Sequence, residues 1–167
     1  MGSTFWFTAR FAKTASSAQS ASVANLKSVG SVQFPSGKAR ILLAEDNPVN
    51  QKVALAMLRK PGCRTDVVAN GRDAVKALKN SSYDLVLVDC QMPVMDGFEA
   101  TRIIREKEAE TKSTAMPIIA LTASAMQADR ERCLQAGMSD FIAKPIQPKE
   151  LAEMLARWLA TSRNSSE

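Results

Sequence analysis

The chain has 167 residues, 46% of them hydrophobic, which suits one domain with a sizeable core plus a tail. No apolar run approaches the roughly 18–20 residues that span a bilayer, and the absence of histidine excludes a histidine metal site, a Ser/His triad and a phosphohistidine carried on this chain. The formal charge of +5 belongs to the first forty residues, which hold five basic residues and no acid, whereas residues 41–167 carry 17 of each sign. The basicity is therefore poor evidence for a folded nucleic-acid-binding surface.

The chain opens on Gly2-Ser3-Thr4-Phe5-Trp6-Phe7-Thr8. That order of small, hydroxyl and aromatic residues resembles the last glycine box and closing strand of histidine-kinase ATP-binding domains. The resemblance implies that residues 1–11 are the remnant of such a strand, either disordered without its sheet or adhering to another surface through Phe5, Trp6 and Phe7. Residues 14–36 are rich in Ser, Ala and Val without acid or sustained periodicity, and 12–37 read as a flexible linker. A mitochondrial-type presequence competes for the same stretch, because Arg10, Lys13 and Lys27 sit among Ser, Ala and Phe. Trp6 stands where myristoylation would want Ser or Thr, which argues against that modification.

From residue 38 onward, short β-rich runs alternate with longer amphipathic stretches. A first strand over 40–45 ends its apolar run, Ile41-Leu42-Leu43-Ala44, in the acidic pair Glu45-Asp46. Asn47-Pro48, an N-cap followed by proline at the first helical position, opens a helix over 48–60. Val49, Val53 and Met57 fall on one stripe of it, which is either core or a docking face. A strand at 64–69 leads through an Asn70-Gly71 turn into a helix at 71–80. The third strand, 84–89, runs Leu85-Val86-Leu87-Val88 into Asp89, and Asp96-Gly97 opens a helix over 97–110. Strand 117–122 ends in Thr122, and the helix at 126–136 stops at Gly137 in a left-handed position. Strand 141–144 ends in Lys144-Pro145, and Gln147-Pro148 begins the last helix, 148–161. Three cysteines, at 63, 90 and 133, are odd in number and lack CxxC spacing, as reduced thiols of a cytoplasmic protein would. Cys90 reads as packing, since neighbours on a strand point to opposite faces.

Five βα units call for a parallel sheet with right-handed crossovers and helices on both faces, an α/β architecture. The runs 84–88 and 117–121 are nearly unbroken apolar, as strands buried on both faces should be. In such sheets ligands bind at the carboxyl ends of the strands, where all four polar tips fall. Three carboxylates, a hydroxyl and an ammonium there suit Mg²⁺ and a phosphoryl group. Asp46 and Asp89 are the expected direct ligands, with Glu45 acting mainly through water and the Gln91 carbonyl as a further ligand. Without a cation the three acids would repel one another, raising at least one pKa. Asp89 is then also a nucleophile that forms an acyl phosphate. Such transfer needs in-line positioning and neutralised oxygens: Mg²⁺ for one, Lys144 for a second, Thr122 with the Ala123 amide for a third. A proline directly after Lys144 suits a cis bond that turns the ammonium inward. Taken singly, Asp89 reads as a cap, Thr122 as a β-former and Lys144 as a solvated charge; the coincidence of the four tips at one edge reverses that reading for Asp89, whereas Phe141, a strand aromatic, reads as core more readily than as a switch.

Glu45-Asp46-Asn47, Asp89 through Gly97, Thr122-Ala123 and Lys144-Pro145 together resemble the receiver domain of two-component signalling, over residues 38–163 with a tail at 164–167. The resemblance implies a flavodoxin-like (βα)5 doubly wound sheet of order 2-1-3-4-5. It also implies Asp89 as phosphoacceptor, Glu45 and Asp46 as the acidic pocket, Thr122 and Lys144 as phosphate-sensing groups and Phe141 as the switch aromatic. The Asp-Asn-Pro-Val-Asn run at 46–50 resembles receivers of hybrid histidine kinases in particular. The implied partners are a histidine-kinase dimerisation domain or a histidine phosphotransfer protein, the latter's helix docking on the Val49 stripe. No nucleic acid is expected, and no membrane insertion of the receiver itself, whatever the parent kinase does. Such a module catalyses only its own phosphoryl transfer and dephosphorylation, with Gln91 and Ser124 setting the lifetime. Only 22 residues follow Pro145, which disfavours an attached DNA-binding output domain. Two rivals remain: an aspartyl-phosphate phosphatase, which would want a second Asp where Gln91 stands, and a receiver-fold interaction module acting without phosphorelay.

Overall fold

The computed structural model describes residues 39–124 and 126–161. The strand remnant at 1–11, the linker or presequence at 12–37 and the tail at 164–167 lie outside the described residues. Among the described residues, five strands alternate with five helices: β1 (Arg40–Ala44), α1 (Pro48–Arg59), β2 (Arg64–Val68), α2 (Gly71–Asn80), β3 (Leu85–Asp89), α3 (Gly97–Thr111), β4 (Ile118–Thr122), α4 (Gln127–Gln135), β5 (Asp140–Ala143) and α5 (Pro148–Thr161). Every neighbouring pair of strands is parallel, in the order β2-β1-β3-β4-β5, which is the order expected.

The pleat of the sheet divides the core into two layers. Leu85 and Leu87 of β3, with Ile41, Leu43, Ile119 and Leu121, pack under Ala54 and Leu58 of α1 and Leu151 and Leu155 of α5. Val86, Val88 and Cys90, with Leu42, Ala44, Ile118 and Ala120, pack under Ala74 of α2, Ala100 and Ile104 of α3 and Cys133 of α4. All five residues of β3 and of β4 are buried, in keeping with their apolar runs. Cys133 is the one buried side chain that α4 contributes.

Helix starts follow their capping chemistry. Asn47 Oδ1 accepts from the backbone N–H of Val49 (2.8 Å) and Asn50 (3.4 Å), with Pro48 beginning the helix. Asp96 Oδ1 accepts from Glu99 N at 2.7 Å and fixes the start of α3. Asn70, expected in a turn, is instead the N-cap of α2, its Oδ1 accepting from Asp73 N at 2.9 Å. Gly137 has φ +91 after α4, the left-handed position anticipated for it. Gly97 packs so closely under β3 that an added Cβ would run into the carbonyl oxygen of Asp89 and reach 3.0 Å from Val88 Cγ2.

Two boundaries shift around the site. β1 stops at Ala44, so Glu45 follows the strand rather than ending it. β5 starts at Asp140 and stops at Ala143, so Lys144 also lies one residue beyond its strand. Asp140 can open a strand because its carboxylate is spoken for. Oδ1 accepts from Phe141 N at 3.0 Å, and Oδ2 accepts from Arg157 (3.1 Å) and the Trp158 indole (3.3 Å) of α5.

Candidate functional site

The carboxyl ends of β1, β3 and β4 and the residue after β5 meet at one edge of the sheet. Asp89 ends β3 and is buried; Glu45 is buried more deeply, and Asp46 beside it is exposed. One carboxylate oxygen from each of the three lies within 4.8 Å of the others. Lys144 Nζ donates to Asp89 Oδ2 at 2.6 Å and to Glu45 Oε2 at 2.7 Å, so one ammonium ties two of the acids together. The Lys144–Pro145 bond is cis.

Each acid is held differently. Asp89 Oδ1 accepts from the backbone N–H of Gln91 at 3.1 Å. Glu45 Oε1 accepts from Asn50 Nδ2 at 3.0 Å and Asn47 N at 3.2 Å, while the Glu45 carbonyl accepts from Gln51 Nε2 at 2.7 Å. Asp46 makes no hydrogen bond or ion pair among the described residues. Its carboxylate is exposed and unpartnered among the described residues.

The Asp89 carboxyl is raised above the ordinary carboxylate range, first by burial and last by the charge of Glu45, against the hydrogen bonds from Lys144 and the Gln91 amide. Repulsion between neighbouring acids, the cause expected from the sequence, is thus the smallest contributor and comes from Glu45. Burial opposes the charge on Lys144, but its bonds to Asp89 and Glu45 outweigh that and raise its pKa.

Thr122 ends β4, largely buried, with Oγ1 donating to the Ser124 carbonyl (3.0 Å) and accepting from Ser124 N (3.3 Å). Its hydroxyl is committed to the local turn and must leave it to meet a ligand. Phe141, on β5, packs partly buried against the α2–α4 layer with the Arg130 guanidinium 5.7 Å over its ring. A crevice of about 580 Å³ runs outward past Asp46, Gln91, Thr122, Ala123 and Ser124 to Asp129 and Arg132 of α4. Cys90 lines the crevice as well, but its Sγ packs in the core layer 3.9 Å from that of Cys133, and burial pushes its pKa up strongly.

The sequence reading missed Asn50 and Gln51 as supports of Glu45. Their signal was available, as both follow the capping residue within the first turn of α1 and so share the end of the helix that faces the acids. It also left the α1 stripe undecided. Met57 packs into the core, but Val49 and Val53 are 66% and 44% exposed, so the stripe divides between interior and solvent. Val94, at φ +73 in the loop after Asp89, is likewise 67% exposed.

A doubly wound sheet with an acidic crevice at its carboxyl edge, closed by a strand-end lysine and hydroxyl, defines a phosphoryl- or metal-handling class of α/β protein. The chain belongs to the response regulator receiver domain family, whose pattern matches residues 41–156. Among curated relatives, the sensor protein GacS of Pseudomonas syringae pv. syringae is 42% identical over 119 residues, and hybrid signal transduction histidine kinase B of Dictyostelium discoideum is 44% identical over 129. The matches cover 71% and 72% of this chain but span only 13% and 7% of those proteins. Among solved structures, the receiver domain of a sensor histidine kinase from Pseudomonas aeruginosa, with a magnesium ion coordinated in its active-site cleft, is 52% identical with a TM-score of 0.67, covering 74% of this chain and 99% of that one. The receiver domain of the Saccharomyces cerevisiae response regulator Ssk1, solved with the histidine phosphotransfer protein Ypd1, is 33% identical with a TM-score of 0.71, covering 74% of this chain and 90% of that one.

Proposed function

We propose that Asp89 is the phosphoacceptor of a phosphorelay, taking a phosphoryl group from a phosphohistidine and passing it on or hydrolysing it. The observation that carries this is Asp89 itself: a buried carboxylate at the tip of a central strand, ion-paired to Lys144 beside Glu45 and Asp46. An Asp89 carboxylate oxygen forms the new bond to phosphorus as the phosphorus–nitrogen bond breaks, the leaving imidazole nitrogen keeping the electron pair. Lys144 neutralises one phosphoryl oxygen, and Thr122 with the Ala123 amide holds another.

Magnesium suits the acid set, because hard cations take oxygen ligands and Asp46 offers an unpartnered carboxylate. Asp46, Asp89 and the Gln91 carbonyl would hold it, with Glu45 acting through water; when bound it supplies positive charge to the transferring group. The magnesium coordinated in the Pseudomonas aeruginosa receiver supports that choice of ion.

The phosphodonor or acceptor is a histidine phosphotransfer protein or a kinase dimerisation domain, docking over Val49 and Val53 at the mouth of the site. The Ssk1 complex with Ypd1 and the exposure of these two valines support this. The domain is read as the receiver of a hybrid sensor kinase, which the names of its relatives support. A cytoplasmic setting is supported by three free thiols, two of them in contact yet unbonded. Phosphorylation is read as drawing Thr122 out of its turn and Phe141 inward, biasing the face of α4, β5 and α5.

Incubation with acetyl phosphate and Mg²⁺ tests the central assignment. Wild-type protein should gain an acid-labile phosphoryl group mapped to Asp89, and Asp89→Asn should gain none. An adduct elsewhere would move the phosphoacceptor away from Asp89, and none on either protein despite bound metal would leave an interaction module acting by partner binding.

A further inference from the structure

α4 buries a single side chain, Cys133, and the atom that side chain meets is another sulfur. Cys133 Sγ lies 3.9 Å from Cys90 Sγ, with 43 positions of chain between the two residues. Both side chains are buried. Cys90 follows the last residue of β3, and its backbone is fixed on both sides: the N–H donates to the Leu121 carbonyl at 3.0 Å, and the carbonyl accepts from Gly97 N at 3.3 Å. The third thiol, Cys63, packs in the opposite layer of the core.

Packing alone would be served by any two small apolar side chains, but a facing pair of thiols can also form a bond. A disulfide holds its sulfurs about 2 Å apart, so this pair must close by roughly 2 Å. Small rotations of both side chains and a slight shift of α4 supply that, since Cys133 is the one residue of the helix that must stay in place. Cys90 also lines the crevice beside Gln91 and Thr122, so a reagent entering there meets its edge, whereas Cys133 is fully shielded. Such an approach admits an oxidant the size of water and excludes a bulky one.

We propose that Cys90 and Cys133 are a modification site, forming a reversible disulfide when a hydroperoxide enters the crevice and thereby fastening α4 to the end of β3. The Cys90 sulfur attacks one peroxide oxygen, the O–O bond breaks, and the departing hydroxide takes up the thiol proton as water. The Cys133 sulfur then attacks the resulting sulfenic sulfur and displaces its hydroxyl, which leaves as a second water with the Cys133 proton. Two thiols thus lose two electrons and two protons, and hydrogen peroxide gains them. Burial slows the first attack by disfavouring the thiolate, but it does not oppose the product, which carries no charge. A reversible bond of this kind is compatible with a reducing compartment. The site needs neither Mg²⁺ nor a phosphoryl group and is independent of the role given to Asp89.

The test treats the reduced full chain, without Mg²⁺, with hydrogen peroxide and reads it by intact mass and by non-reducing peptide mapping. Wild-type protein should lose two hydrogens and yield one linked peptide pair joining Cys90 to Cys133, and dithiothreitol should restore both thiols. Glutathione disulfide should leave them free over the same period. Cys90→Ala and Cys133→Ala should each abolish the link. The linked wild-type protein should melt at least about 5 °C higher. Its amides from Gln127 to Gln135 should exchange with deuterium at least about tenfold more slowly. No reaction, oxygen added to Cys90 without a link, or a link through Cys63 overturns the site. A link that leaves the melting temperature and the exchange of α4 unchanged overturns the fastening of the helix. Reaction with glutathione disulfide as fast as with peroxide overturns the route through the crevice.

Discussion

Asp89 and Lys144 are 55 residues apart in the chain and share a 2.6 Å ion pair. In the proposed transfer, the ammonium that would meet the phosphoryl group already rests on Asp89, and it spans to Glu45 at the same time. Lys144→Ala should slow phosphorylation by acetyl phosphate by roughly 10²-fold, the effect of removing one preorganised charge from a reacting oxyanion. The same change removes the positive charge that competes for Asp89 and Glu45, so Mg²⁺ should bind more tightly. Rapid-quench kinetics and a metal titration measure the two effects; an unchanged rate would remove Lys144 from the chemistry.

Val49 and Val53 are exposed on α1 and make no contribution to either layer of the core. Val49→Asp should leave the denaturation midpoint within about 0.5 kcal/mol of wild type, as exposed substitutions do. Phosphoryl exchange with a histidine phosphotransfer protein should nevertheless slow, while phosphorylation by acetyl phosphate, which needs no docking, should not. Equal slowing with both donors would place the effect in the crevice rather than in docking.

Gln91 and Ser124 line the crevice on either side of Asp89 and Thr122. Replacing both with alanine should open the path of water to the acyl phosphate and shorten its lifetime. Loss of label from phosphorylated protein over time gives the rate. Identical decay in wild type and double variant would mean that neither side chain governs water access.

Arg105 pins α3 to the segment that leads into β5, its Nε donating to the Gly137 carbonyl at 2.8 Å and a terminal nitrogen to Ser139 Oγ at 3.3 Å. It also pairs with Glu108, a largely buried acid. Arg105→Ala should cost about 2–3 kcal/mol in urea denaturation, since it strips a charged partner from a shielded carboxylate. Arg105→Lys should recover only part of that, because a single ammonium cannot reach three acceptors in a fork.

Asp66 accepts hydrogen bonds from Arg40 (2.7 and 3.1 Å) and from the Tyr83 hydroxyl (2.9 Å), which hold its carboxyl below the ordinary value. The folded protein binds that proton more weakly than the unfolded chain does. The contribution is therefore complete above the unfolded value near ~3.9 and is lost as pH falls through the lower folded value. The Tm gap between wild type and Asp66→Asn should be small, steady from neutral pH to about 5, and should close in strong acid. A gap that widens on acidification would contradict the sign.

The strand tips were legible because each apolar run breaks abruptly on a polar residue: Asp89 and Thr122 do end their strands, and Asn47-Pro48 does begin α1. What the sequence could not show was tertiary compensation. Asp140 looks like a loop residue until Arg157 and Trp158 arrive from α5 to satisfy it. Asn70 looks like a turn until its side chain is seen capping α2. The Lys144 ammonium was expected in the acid crevice, but not that it would tie Asp89 to Glu45, a pairing across the sheet that no local pattern encodes. Asn50 escaped notice because its partner, Glu45, lies before the helix rather than on it.

α4 turns one side chain, Cys133, into the interior; its other side-chain links include Gln127 to Glu131 along the helix, Arg132 weakly to Asp129, and the Arg132 and Arg130 guanidiniums over the Phe98 and Phe141 rings. Sliding this segment would uncover one buried thiol and the faces of those two rings, but break no ladder of strand bonds. In the proposed switching, α4 is a displaceable outer wall beside a stiff inner one, so that a disturbance at the Thr122 turn would be expressed as travel of that wall without melting anything behind it.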